Sequence, residues 1–335
     1  MLHLIQKPVS CRDLLADFQH ATRANASERI IFHGVEPKDV YNITAPFEDE
    51  GELVIAGRVE LRSEQISDVI FFIKRGEAWV PRAGARTFRL QDPFVTRIHG
   101  ELVFGGVEFY LDNTGKITSW RTNFFKGQNI ANLKAFACGP LNMKDIRPVE
   151  LQDGRVGVFT RPHGLPDAWA RIGYTEIDHL DQLNESVIAR AELFCDQFRR
   201  MRDEPDGGNA TMRLKNGNPR QDEWGGSNEA HLLKNGNIGV LGHISYLDDE
   251  GMHYHAMAFV LNPKTKEKSP IWILANRRMF PEGPAKSPDL LDVVFAGGLV
   301  RGNNGSAWLY AGVSDAYACR VQIPDPFLKY EHETA

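Results

Sequence analysis

Acids set beside conformation-fixing residues are the first places to look for chemistry, and Asp92 is the clearest of them. It stands in Phe88-Arg89-Leu90-Gln91-Asp92-Pro93-Phe94-Val95-Thr96-Arg97-Ile98, just before a strand-like run. Proline fixes its own φ and biases the preceding residue toward extended backbone. Asp92 is thereby expected to point in a set direction at the mouth of a strand, as a catalytic acid requires. A plain Asx-Pro turn would read the same way.

Other polar clusters follow along the chain. Tyr41-Asn42-Ile43-Thr44 precedes Gly57-Arg58-Val59-Glu60-Leu61-Arg62-Ser63-Glu64. Strand alternation places Arg58, Glu60, Arg62 and Glu64 on one face, which alone reads as a solvated outer face with cross-pairing charges. Further on come Lys144-Asp145-Ile146-Arg147, Thr160-Arg161, Ser227-Asn228-Glu229, Gly242-His243 and Ser314-Asp315. His253-Tyr254-His255 carries two histidines on one strand face, a possible start of a metal site. No obvious third ligand accompanies them, so no metal and no cofactor are expected. No GxSxG, P-loop or GxGxxG fingerprint is present.

These clusters are far apart in the chain, so a repeating scaffold must gather them. Gly51-Glu52-Leu53-Val54-Ile55-Ala56-Gly57 recurs as Gly100-Glu101-Leu102-Val103-Phe104-Gly105-Gly106, with weaker copies starting near 153, 235 and 304. Each copy has a tight-turn glycine and then a short apolar strand. A period of about 50 residues in strand-rich sequence is the signature of propeller blades. Five copies predict an all-β fold, a five-bladed β-propeller whose innermost strands line a central funnel. Residues 181–202 carry an apolar stripe at three- and four-residue spacing (Leu183, Val187, Ala191, Phe194, Phe198, Met201). This predicts a helix inserted between blades three and four. A shorter helix is expected over 11–24, and an exposed loop over 203–221. With no clean boundary, residues 1–335 read as a single propeller domain.

Composition excludes several classes. The chain has 335 residues, 42% hydrophobic and 25% charged, with a net charge of −5. There is no basic tract, so nucleic acid and anionic membranes are poor partners. No apolar run reaches membrane-spanning length, and residues 1–8 lack the apolar core of a signal peptide. Cys11, Cys138, Cys195 and Cys319 show no CxxC spacing and read as free thiols in a reducing compartment, the cytoplasm. The oligomeric state is left open; a homo-oligomer is compatible with everything above.

The order and spacing of these short motifs resemble the five-bladed propeller enzymes that make or break β-mannosidic bonds, the β-mannoside phosphorylases and their hydrolase relatives. The closer likeness is to a sister family that includes protozoan mannosyltransferase/phosphorylases of β-1,2-mannan. The likeness runs from about Ile30 to Phe327. It rests on Gln91-Asp92-Pro93-Phe94, Lys144-Asp145-Ile146-Arg147-Pro148-Val149-Glu150, Leu241-Gly242-His243, Val293-Val294-Phe295-Ala296-Gly297-Gly298 and Gly312-Val313-Ser314-Asp315. The resemblance implies Asp92 as general acid, and phosphate held by Lys144, Arg161, His243 and Tyr254. It implies sugar contacts from Asn42, Arg58, Glu60, Arg62, Asp145, Asn228, Glu229 and Asp315. It further implies an inverting phosphorylase or mannosyltransferase whose partners are a small carbohydrate and phosphate. In the resembled phosphorylases the acid acts on the leaving oxygen through a sugar hydroxyl.

Phosphorolysis needs only one protein acid, because phosphate is the nucleophile. Inverting hydrolysis needs a second carboxylate to activate water. Asp92 paired with Glu60 or Asp145 would raise one pKa by like-charge repulsion. Lys144 stands where the phosphorylases usually have Arg, and Asp145 where they often have Asn. A carboxylate there disfavours phosphate unless Arg147 or Arg161 neutralises it. Transfer from another donor, hydrolysis, and a non-catalytic sugar-binding propeller therefore stay open.

Overall fold

A computed structural model describes residues 10–21, 26–161, 171–193 and 223–332. The chain opens with α1 (Cys11–Ala21), where Ser10 Oγ accepts the Asp13 N–H at 3.1 Å as an N-cap. The rest of the expected 11–24 helix lies outside the described residues. After α1 comes a short strand, β1 (Ser27–Arg29).

Antiparallel meanders then succeed one another. The first contains β2 (Asp39–Tyr41), β3 (Phe47–Asp49), β4 (Glu52–Glu60), β5 (Asp68–Arg75) and β6 (Ala78–Pro81). The next is β7 (Gln91–Ile98), β8 (Glu101–Leu111), β9 (Ile117–Gly127) and β10 (Lys134–Cys138). It is followed by β11 (Arg147–Glu150), β12 (Val156–Thr160) and β13 (Gly173–Ile177). A short helix, α2 (Glu185–Ala189), precedes the closing strand β14 (Glu192–Leu193). Then come β15 (Trp224–Leu232), β16 (Ile238–Asp248), β17 (Gly251–Leu261) and β18 (Trp272–Ala275). Last are β19 (Asp292–Arg301), β20 (Ser306–Val313) and β21 (Tyr317–Pro324), against which β1 pairs from the other end of the chain. A short α3 (Leu328–Glu331) follows.

The repeat glycines occupy one structural position. Gly51, Gly100, Gly154, Gly236 and Gly305 have φ of 77°, 80°, 84°, 83° and 77°, each in the turn leading into β4, β8, β12, β16 or β20. Only glycine takes that backbone without strain.

Apolar clusters lie between successive meanders. Phe71, Phe88, Phe104 and Phe125 join the first to the second, and Phe94, Phe124, Val158 and Ile177 the second to the third. Phe159, Val240, Met257 and Phe259 join the third to the fourth, where α1 also packs through Cys11. Leu241, Val260, Leu299 and Leu309 join the fourth to the last. Val40, Ile55, Phe72 and Tyr310 close the ring back to the first. Burying a large apolar side chain stabilises by roughly 1.5–3 kcal/mol, so these sandwiched layers hold the ring together. A second junction ties the fourth meander to the last: β17 and β19 pair in parallel through His253 with Asp292 and Tyr254 with Val293.

One expectation is corrected. The stripe in 181–202 does not form one helix. Asn184 Oδ1 caps a single turn by accepting the Val187 N–H at 3.0 Å, and α2 stops at Ala189. Glu192–Leu193 then pairs with Gly173–Tyr174 as the outer strand of the third meander. Edge pairing, which removes unpaired backbone groups from β13, overrides the local helical period. The end of that segment and the loop expected over 203–221 lie outside the described residues.

Candidate active site

The inner ends of the meanders surround a cavity of about 320 Å³, at the small end of the range for ligand pockets, ~300–1,000 Å³. Nine of the residues singled out from the sequence line it: Asn42, Arg58, Arg62, Asp92, Lys144, Asp145, His243, Tyr254 and Asp315. They come from all five meanders, as separated clusters gathered by a ring would.

Asp92 is 5% exposed. Its φ is +47°, so proline does not leave it extended as expected. The reason is local. The register of β7 against β8 shifts between Gln91 and Phe94, so Asp92-Pro93 sits in a bulge. A bulge accepts a residue without an N–H to donate, and it re-aims the side chain. Asp tolerates left-handed backbone better than most residues. Two bonds then hold the carboxylate: Asn42 Nδ2 donates to Oδ1 at 2.8 Å and Arg58 at 3.1 Å. Burial pushes this carboxyl up, but Arg58, Lys144 and the Asn42 amide outweigh it and hold it below the ordinary carboxylate range. Asn42, Asp145 and Asp315 share the left-handed backbone, with φ of +43°, +56° and +48°. Such strain persists where surrounding contacts over-determine it, which is characteristic of functional sites.

Arg58 and Glu60 correct the outer-face reading. Both are buried, at 6% and 1% exposure, and Arg58 forms part of the cavity lining. Arg58 donates to Glu60 at 3.1 Å, and Glu60 also takes the Tyr41 hydroxyl and the Lys286 ammonium. Glu60 therefore braces Arg58 from below and does not line the cavity. Strand β4 ends at Glu60, so Arg62 escapes the alternation. It sits at the mouth, held by Asp39 at 2.8 and 2.9 Å.

Asp145 is 1% exposed and ion-paired with Arg161. Burial opposes its charge, yet Arg161, with His243, Lys144 and Arg147 nearby, holds the carboxyl far below its usual value. Arg161 thus does not face the cavity as a phosphate ligand. It neutralises Asp145, meeting the condition under which a carboxylate is tolerable beside an anion site. Arg147 turns away, donating to Asn228 O at 2.7 Å and stacking over Phe94 at 4.4 Å. The Asp145 carboxylate lies so close to β15 that a Cβ at Gly226 would come within 2.5 Å of Asp145 Oδ2 and 2.9 Å of His243 Cε1.

His243 also departs from expectation. Asn228 Nδ2 donates to Ala296 O at 2.7 Å, which turns Asn228 Oδ1 toward His243 Nδ1 at 2.8 Å. This network assigns the proton to Nδ1. Burial, with the nearby cations Arg161, Lys144 and Arg147, outweighs Asp145 and pushes the imidazole down to about 3. His243 is a neutral ring whose Nε2 has no hydrogen-bond partner among the described residues. A neutral ring protonated on Nδ1 offers Nε2 as an acceptor and carries no positive charge. Tyr254 stacks on it at 5.3 Å, with its hydroxyl accepting from Trp224 Nε1 at 3.0 Å. Asn228 orients His243 from behind. Glu229 lies elsewhere, accepting the Leu299 N–H at 2.7 Å beside a separate cavity.

Lys144 is the cation left over. Among the described residues its ammonium makes no hydrogen bond or ion pair, although it lines the cavity. Asp315 is the opposite of Asp92: burial, with Asp92 and Glu60 close by, raises its carboxyl against the pull of Arg58 and Lys286. Lys286 went unnoticed in the sequence. It sits in a proline-rich connection between β18 and β19 with no motif, docked by its N–H on Ser314 O at 3.0 Å.

The family model described as a protein of unknown function, DUF1861, matches residues 16–219 and 209–329. No protein of curated function matches the sequence. Among solved structures, a mannose phosphorylase from Leishmania mexicana, in complex with a phosphate ion, is 34% identical with a TM-score of 0.83, over 96% of this chain and 95% of that one. A GDP-Man-dependent mannosyltransferase from the same organism is 34% identical with a TM-score of 0.81, over 95% and 94%. A β-1,2-mannobiose phosphorylase from Listeria innocua, 13% identical with a TM-score of 0.59 over 94% and 95%, shares the fold.

Proposed function

We propose that this chain, which belongs to the DUF1861 family and is 34% identical to the Leishmania mannose phosphorylase and mannosyltransferase, is an inverting phosphorylase or mannosyltransferase of β-mannosides, with β-1,2-linked manno-oligosaccharides as substrate. The five meanders are read with it as the blades of a propeller closed by β1. The observation that carries the reading is the pairing, in one cavity, of a buried carboxylate, Asp92, with a cation, Lys144, that has no hydrogen bond or ion pair among the described residues. The first suits a proton donor and the second an anionic nucleophile.

A phosphate oxygen attacks the anomeric carbon from the face opposite the leaving group. The bond from that carbon to the glycosidic oxygen breaks, and the proton of the Asp92 carboxyl passes to the leaving oxygen. The products are α-mannose 1-phosphate and the shortened acceptor; synthesis is the reverse. The low affinity of Asp92 for its proton in the free enzyme fits an acid armed by its co-substrate. A phosphate dianion on Lys144 cancels one of the charges that depress Asp92 and adds a negative one, and both raise its pKa. Sugar hydroxyls find acceptors in His243 Nε2 and the Asp315 carboxyl, with the Tyr254 ring as a wall.

The test is incubation with α-mannose 1-phosphate and mannose or short mannosides. Phosphate release with growing oligosaccharides supports the reading; silence with this donor and with GDP-mannose overturns it. In that assay run as phosphorolysis, Lys144→Ala is expected to raise the phosphate KM about 10- to 100-fold, the value of one charge-assisted bond of ~1.5–3 kcal/mol. The sugar KM should move little. An unchanged phosphate KM would remove Lys144 from the anion site.

A second reading has its own observation. Asp315 and Asp92 have pKa values pushed in opposite directions within one cavity, the pattern of an acid and a base in an inverting hydrolase. It predicts release of free mannose without phosphate.

A further inference from the structure

The strand that presents Tyr254 to the cavity presents His253 and His255 to the opposite side. The ligand missing from the sequence pattern is supplied there by the parallel β17–β19 junction, which sets Asp292 beside His253. One ring nitrogen of each histidine and one carboxylate oxygen of Asp292 lie within 4.8 Å of one another.

His255 is the informative residue. It is 2% exposed, and neither ring nitrogen has a hydrogen-bond partner among the described residues. Its Nε2 points toward Asp292, 3.9 Å from Oδ2. A buried imidazole with two unmet nitrogens is unusual, since buried polar groups are nearly always paired. His253 shows the complementary feature. Its Nδ1 meets Asp292 Oδ2 at 2.6 Å, and its Nε2 meets Asp248 Oδ1 at 2.9 Å. The ring is further fixed by stacking on Tyr246 at 4.3 Å. A carboxylate on the far nitrogen of a ligating histidine is the usual outer partner in metal sites, because it fixes the tautomer and the ring plane.

We propose that His253 Nδ1, His255 Nε2 and Asp292 bind a divalent transition-metal ion of the zinc type, with Asp248 orienting His253 from behind. The metal takes the place of the proton now shared by His253 Nδ1 and Asp292 Oδ2, and gives His255 the partner it lacks. Two imidazoles favour zinc-type ions over calcium or magnesium, which prefer all-oxygen shells. Ligand atoms around tetrahedral zinc stand about 3.3 Å apart, so the 2.6 Å contact opens and the 3.9 Å gap closes by small side-chain adjustments. Asp292, with its side chain 38% exposed, leaves an entry route and a place for a water as fourth ligand. The ion would clamp the parallel junction of the fourth and last meanders, directly behind Tyr254 and Val293 on the cavity wall.

The test uses the full chain, stripped with a chelator, dialysed and titrated with Zn²⁺ against a chromophoric competitor. The expected result is one ion per chain, with affinity falling at least 100-fold in His255→Ala and unchanged in a variant of the exposed His33, His33→Ala. If His255→Ala does not fold by circular dichroism, Asp292→Asn takes its place with the same expectation. Substituting Co²⁺ should give the intense visible bands of a tetrahedral or five-coordinate site, absent in the variant. Wild-type protein that binds no zinc, or binds it no better than a folded ligand variant, overturns the proposal.

Discussion

Asp92→Asn is expected to lower turnover by about 10²–10⁴-fold, the usual contribution of a positioned general acid, with phosphate and sugar affinities changed only a few-fold. The amide oxygen can keep accepting from Asn42 and Arg58, which now hold the carboxylate at 2.8 and 3.1 Å. The fold should therefore survive, and kcat measured beside a thermal melt separates lost chemistry from lost structure. The phosphate dependence sharpens the expectation. If phosphate arms Asp92, the basic limb of the pH–kcat profile should lie well above the depressed pKa of the free enzyme. Residual turnover near wild type would remove Asp92 from the acid role.

Arg161→Leu is expected to destabilise the protein by about 3–5 kcal/mol, the cost of stranding a buried charge. The charge is Asp145, 1% exposed and paired to Arg161. The folded pKa of Asp145 is depressed. Its contribution is therefore fully present above the unfolded carboxylate value of about 3.9, and is lost as pH falls toward the folded value. Urea unfolding near neutral pH and in acid should show this loss in the wild type and a smaller one in Arg161→Leu. The double variant with Asp145→Asn should recover part of the neutral-pH loss. If Arg161→Leu is as stable as the wild type, the ion pair is not what makes Asp145 tolerable beside an anion site.

The sequence carried the scaffold through one kind of residue. Turn glycines at 51, 100, 154, 236 and 305 are visible because only glycine serves at their positive φ, and each marks the same place in its meander. Asp92 was visible for a similar reason, since its proline punctuates the strand. What alternation could not show was that β4 runs into the centre of the ring. Arg58 and Glu60 then become cavity lining and brace, not outer face. Nor could spacing separate residues that touch a ligand from residues that serve them. Arg161 serves Asp145, Asn228 serves His243, and Glu229 belongs to another cavity. Lys286 had no local signal, because its value comes from meeting Glu60, 226 positions away in the chain. Asp292 was hidden from the histidine pair for the same reason: a parallel junction joins them. The helix expected over 181–202 failed where an apolar stripe suited either structure and an open strand edge decided.

Phosphorus and proton NMR of the purified protein incubated with a β-1,2-mannobiose and inorganic phosphate decide most directly between phosphorolysis and hydrolysis. Phosphorolysis gives α-mannose 1-phosphate and free mannose in equal amounts, formed only when phosphate is present and not by Asp92→Asn. Mannose released at the same rate without phosphate, with no sugar phosphate formed, would contradict it and assign the cavity to Asp92 and Asp315 as a hydrolytic pair.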